Sequence, residues 1–232
     1  GLFGAFTVSM VAAGRLLDRL GPRVIAVIGG LLFGAGYLTA SASGGSYLVM
    51  LLGISVLAGT GTGFGYVCPL TTCMKWFPNH RGLVTGISMA GFGGGAVVLA
   101  AVAEVLLSGG VHVLAVFRWI GLAYGVALLA AALLLRFPPA TAATRPRGGA
   151  RLGLLRRDPF FAALVVGMFC GTFAGMLVIG NLKPMALAAG IPAVPATAAI
   201  SVFAAGNAAG RIASGWVSDR ADERMIPLKL AV

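Results

Sequence analysis

Along this chain the apolar positions show no two-residue or 3.6-residue alternation. They run on almost unbroken, and the polar residues gather between the runs. Six stretches, 24–43, 46–74, 82–107, 111–135, 159–182 and 195–217, are each close to 20 residues or longer, with partial runs at 1–13 and 225–232 flanking them. About 20 predominantly apolar residues span a bilayer as a helix, so the pattern predicts six membrane-crossing helices. Short turn strings separate most of them: "SGGS" at 43–46, "PNHRG" at 78–82 and "SGGVH" at 108–112. One connection is of another kind. Residues 137–158, "FPPATAATRPRGGARLGLLRRD", are rich in Pro, Ala and Arg and too polar to insert, and they predict a linker between an N-terminal bundle, 1–136, and a second bundle beginning at 159–232.

Composition strengthens the membrane reading. Hydrophobic residues make up 59% of the 232 positions and charged residues 10%. No aqueous fold has enough polar surface to cover such a surplus. The balance of 17 Lys and Arg against 6 Asp and Glu, a net charge of +11, would suggest nucleic acid in a soluble protein. Here the basic residues sit in the breaks between apolar runs and accompany no nucleic-acid module, so no nucleic-acid partner is expected. Arg15, Arg19 and Arg23, then Lys75 and Arg81, then the six arginines from Arg136 to Arg157, then Arg220, Arg224 and Lys229 all fall on one side of the alternating spans. That side is expected to be cytoplasmic, which makes the chain a multi-pass protein of the plasma (inner) membrane. Cys68, Cys73 and Cys170 lie in apolar runs and read as small apolar side chains. His80 and His112 are solitary, and neither a metal nor a cofactor is implied. A first residue that is not Met, and a last apolar stretch cut short, lead to the expectation that the chain is part of a longer protein.

Glycine punctuates the spans. Residues 59–65 read "GTGTGFG", and Gly82/Gly86 and Gly91/Gly95 are pairs four apart. A dinucleotide loop would need a strand before it and a helix after it, which an apolar span does not supply. Close approach of helix backbones is the expected use.

The charged strings repeat. "GRLLDRLGPR" at 14–23 and "GWVSDRADER" at 215–224 match Gly14 with Gly215, Asp18 with Asp219, Arg19 with Arg220 and Arg23 with Arg224, at a constant offset of 201 residues. Chance recurrence of basic loop residues leaves the matched acid and glycine unaccounted for, whereas two related halves explain them. Here the sequence resembles the major facilitator superfamily, whose loop between second and third helices carries Gly-x-x-x-Asp-Arg-x-Gly-x-Arg. The first copy is complete through Gly21 and Arg23; the second has Asp222 in place of the glycine. "KWFPNHRGLVTGISMAGFGGGA" (75–96), "GNLKPMA" (180–186) and "GRIASGWVSD" (210–219) are similar to the oxalate/formate antiporters and monocarboxylate transporters. "WFP" followed by "RG" occurs in nitrate carriers too.

The resemblance implies an all-α membrane protein with the major facilitator fold of two six-helix halves, incomplete here and running from the second helix to the start of the ninth. It implies a secondary active transporter of small organic anions, mono- or dicarboxylates, working by alternating access through antiport or proton symport. The expected partners are the anion, the bilayer, and protons or a counter-anion. Arg211 lies within a span, eight residues before Asp219 and one turn from Asn207. Its planar fork suits a carboxylate, and the resemblance places it on an arginine that binds anionic substrate. The alternative is that Arg211 extends the gate charges or pairs with an acid elsewhere. Tyr66 is a further candidate for the substrate cavity, with simple packing as its alternative. Gly14, Asp18, Arg19, Gly21, Arg23, Asp219, Arg220 and Arg224 are expected to form the gate. Glu104 and Arg118 flank the hairpin at 108–110 and are expected to pair; a proton-coupling role for Glu104 is the other reading. Other readings remain: a facilitator of nitrate or drugs, a non-transporting receptor or scaffold, or a membrane enzyme, for which the spans offer no convergent catalytic set.

Overall fold

The computed structural model describes residues 1–138 and 159–220. Most of the expected linker, together with Arg224, lies outside them. Helices make up nearly all of the described residues, in the order α1 (Leu2–Ser41), α2 (Tyr47–Trp76), α3 (Arg81–Ser108), α4 (Val113–Leu134), α5 (Pro159–Ala188) and α6 (Ala193–Arg220). Five of these elements, α1 to α4 and the 161–182 part of α5, are long and apolar enough to cross a membrane. The sixth expected span, 195–217, is helical, but it does not reach that apolarity among the described residues. Ser201, Asn207, Arg211 and Ser214 dilute it.

The 40-residue α1 is two helices joined at one residue. Gly21 has φ 81° and ψ 165°, a conformation that an L side chain resists, and Pro22 then starts the second arm with its φ preset. The first charged string, expected as a turn, is therefore helical up to Leu20, and Gly21 alone makes the reversal. The contacts establish the reversal. Leu2 and Ser9 of the first arm lie beside Gly59 and Gly63 of α2, so these two run parallel. In the second arm Gly29 meets Gly61 and Gly65, and Gly36 meets Gly53 and Ala58, so this pair is antiparallel. Within α2 the segment Leu51–Ala58 is wound as a π-helix.

The chain divides into two compact units: Gly1–Arg81 with Val98–Arg145, and Gly82–Val97 with Pro146–Val232. In the first, the two arms of α1, α2 and α4 pack around Ala13, Leu17, Ile25, Ala26, Val67, Cys68 and Ala132. Gly34 lies against the backbone of Gly121 and Gly125, so α4 comes in close to the second arm. One end of this bundle is basic. There the Arg23 guanidinium donates to the Leu133 carbonyl at 2.6 Å, Trp76 Nε1 donates to the Arg136 carbonyl at 2.7 Å, and Lys75 lies 3.7 Å over the Phe137 ring. A cation on the last carbonyls of α4 is favoured by the helix dipole.

The second unit holds the start of α3 with α5 and α6. Gly190, at φ 79°, ends α5 and turns the chain into α6. The expected glycine approach is met at Gly82 and Gly86, and it is absent at Gly91, Gly93, Gly94 and Gly95, where an added Cβ would have nothing within 4 Å among the described residues. Both pairs have the same spacing, and among the described residues only the first faces a helix.

Candidate functional site

In the second unit α3 and α6 lie antiparallel at backbone contact. A Cβ on Gly82 would strike the Gly215 carbonyl, and one on Gly86 would strike the carbonyl of Arg211. The Asp219 carboxylate closes the same seam. Its two oxygens accept from the Gly82 amide at 2.7 Å and the Leu83 amide at 2.8 Å, the otherwise unpaired N–H groups of the first turn of α3. An acid at this end also complements the positive end of the helix dipole. Gly82, Gly86 and Asp219 together fix the register of the two helices.

That register places Arg211. Counted along α6, it lies eight residues before Asp219, a rise of about 12 Å. Its Nε donates to Asn207 Oδ1 at 2.6 Å, and its Nη1 lies 3.3 Å from the sulfur of Met89 on α3. The guanidinium is held at two points, with its other N–H groups unengaged among the described residues. Asn207 accepts through its oxygen and keeps its amide nitrogen as a further donor. Both side chains are exposed in this structure. The arrangement presents a fixed cation and neighbouring donors, which is what a carboxylate or other planar oxyanion takes up.

The other expected residues are distributed as follows. Arg220 lies 3.8 Å over the Trp216 ring, one turn away on α6. Tyr66, in the first unit, packs edge-to-face with Phe6 at 5.6 Å, against the core. Asp18 and Arg19 are exposed on the first arm of α1 and make no hydrogen bond or ion pair with a described residue. Gly14 has nothing within 4 Å of an added Cβ, whereas its match Gly215 is pressed onto Gly82. The two strings match in sequence, but their matched residues are used differently: Arg23 of the first holds the Leu133 carbonyl, whereas in the second it is the acid, Asp219, that meets a partner.

Two readings of the sequence need correction or addition. Glu104 and Arg118 form no ion pair. Val102 and Leu106 of α3 share a groove with Trp119, Ile120, Ala123 and Tyr124 of α4, and Glu104, midway between Val102 and Leu106 in sequence, points about 200° away from them. Met89, a partner of Arg211, carried no signal of its own. The adjacent Gly86 could have marked α3 as the helix that α6 touches.

Comparison with known proteins gives a consistent result. The profile of the Major Facilitator Superfamily matches residues 1–232. The oxalate:formate antiporter of Oxalobacter formigenes is 30% identical over 228 residues, covering 93% of this chain and 54% of the relative. Monocarboxylate transporter 11 of Mus musculus is 32% identical over 224 residues, 88% of this chain and 46% of the relative. Apicoplast pyruvate carrier 1 of Toxoplasma gondii is 33% identical over 96 residues, 41% of this chain and 18% of the relative. The chain thus spans about half the length of the first two.

Proposed function

The chain belongs to the Major Facilitator Superfamily, and we propose that within it the protein is a secondary active transporter of small organic anions, mono- or dicarboxylates, that binds the anion through Arg211. The observation that carries this reading is the Arg211 guanidinium, oriented by Asn207 and Met89 and left with N–H groups to give. An anion leaving water needs a cation in place before it arrives, and a permanently ionised fork meets that need without a proton. The names of the relatives, oxalate:formate antiporter, monocarboxylate transporter and pyruvate carrier, favour the carboxylate class.

Transport proceeds by alternating access between two helical halves, 1–136 and from 159 onward, joined by the linker 137–158 with the basic loops in the cytoplasm. Substrate lowers the barrier to exchange because it binds the reorienting state more tightly than it binds the resting states. Asp219 and Asp18 belong to the gate, and the contact of Asp219 with the start of α3 breaks and re-forms in each cycle. The test is uptake by the full-length protein in liposomes, with labelled oxalate, formate, lactate, nitrate and a neutral amide analogue. Saturable uptake of a carboxylate, driven by an internal carboxylate or by a proton gradient, is expected, and which of these drives it separates antiport from symport. Uptake of the neutral analogue in preference to every carboxylate would refute the reading.

A further inference from the structure

At the end of the first bundle remote from Arg23 and Arg136, the last residue of α1 and the first turns of α4 border a wide-open depression of about 270 Å³, lined by Ser41, Leu114, Ala115 and the exposed side chains of His112 and Arg118. Its charge is one-sided. Arg118 forms no hydrogen bond or ion pair among the described residues. The described acids of this unit are Asp18, at the opposite end, and Glu104, on the far side of α3. The His112 ring accepts the Leu114 amide at Nδ1, 3.3 Å away, so the neutral ring carries its proton on Nε2 and is a second donor. Ser41 Oγ gives its proton to the Leu38 carbonyl at 2.7 Å and closes the wall without competing for an anion's protons. The pocket also lies at the positive end of α4. Arg118 stands five residues into α4, about 7 Å along the helix, and is exposed, so its guanidinium is open to an arriving anion.

We propose that this pocket is an oxyanion site, separate from Arg211, in which Arg118 and His112 hold the oxygens of a carboxylate or phosphate. The oxyanion can come from solution or from a lipid head group, and the same experiment tells these apart. In full-length protein with Cys68, Cys73, Cys170 and every other native cysteine replaced, Ser41→Cys is labelled with the uncharged reagent N-ethylmaleimide in maltoside micelles, which carry no phosphate. Oxalate or inorganic phosphate is added against chloride at matched ionic strength. The unoccupied fraction falls as the reciprocal of one plus concentration over Kd, so labelling should slow about tenfold at an anion concentration about ten times Kd. Arg118→Gln should lose this slowing, Arg118→Lys should keep much of it, and Arg211→Ala should leave it unchanged, which separates its failure from failure of the transport reading. Slowing seen in phosphatidylglycerol nanodiscs without added anion, and not in micelles with it, assigns the oxygens to lipid phosphate. Should Ser41→Cys fail to fold, Ala115→Cys gives the same readout. The proposal is overturned if neither anion nor anionic lipid slows labelling, or if Arg118→Gln is protected as well as the parent.

Discussion

Asp219→Ala should release the start of α3 from α6. The carboxylate accepts two backbone N–H groups at 2.7 and 2.8 Å, and both amides lie at a half-buried seam where a glycine pair excludes any replacement side chain. Hydrogen bonds to a charged acceptor contribute about 1.5–3 kcal/mol each, and loss of a helix cap about 1. The two bonds together are the cap, and at a half-buried seam the cost of losing a cap, up to about 2 kcal/mol, is a better guide than the sum for two buried bonds. About 2 kcal/mol is therefore expected, equivalent to roughly 30-fold in the local opening equilibrium. Asn keeps one acceptor and loses the charge, and should cost about half as much. Hydrogen exchange followed by mass spectrometry on peptides covering 81–86 reads this opening directly in the full-length protein. Exchange there should quicken in the order parent, Asn, Ala, with little change in α4. An Ala variant exchanging within about twofold of the parent would refute the cap, because an intact first turn would then not need the carboxylate.

Four other substitutions probe separate parts of the structure. Gly36→Ala puts a methyl 2.5 Å from the backbone of Gly53 and Ala58 and should cost about 1–3 kcal/mol by overpacking. Gly93→Ala, in open space, should be neutral or stabilising by up to about 1 kcal/mol through helix propensity, and thermal unfolding compares the two. Thr72 Oγ1 is buried with no hydrogen-bond partner among the described residues, so Thr72→Val should be tolerated or raise stability by about 1 kcal/mol in the same assay. Asp18→Asn should slow turnover in liposome uptake with little change in the substrate concentration for half-maximal rate, since it leaves the donors of Arg211 in place.

Which parts of this arrangement could be read from the sequence depends on the range of the interactions behind them. Helix positions follow from the length of apolar runs, a local property, and the observed ends fall within a few residues of those expected, as with 111–135 against Val113–Leu134. The Arg211–Asn207 contact is an i, i−4 pair and follows from helix geometry alone. Asp219 reaches a helix start 137 residues earlier in the chain, and no local pattern encodes that pairing. The same limit applies to glycine. Gly82/Gly86 and Gly91/Gly95 are alike as sequence, and only the path of α6 separates them. Glu104 and Arg118 lie close to one hairpin, and their charges invited a pair. The helical phase of Glu104, set by Val102 and Leu106 facing α4, prevents it. In the sequence Gly21 is only a residue of the repeated motif; that it makes a complete reversal before Pro22 depends on a positive φ that composition does not report.

The central claim is that Arg211 is the charge partner of a carboxylate substrate, and its most direct test is ligand-induced thermal stabilisation of the full-length protein with oxalate, formate and lactate. The parent should be stabilised by at least one of them. Arg211→Lys, which keeps the charge without the fork, should bind more weakly. Arg211→Ala should fold and lose the response: a charged hydrogen-bonded contact of about 1.5–3 kcal/mol corresponds to roughly 10- to 150-fold in Kd. A folded Arg211→Ala protein stabilised by carboxylate as strongly as the parent would contradict the account.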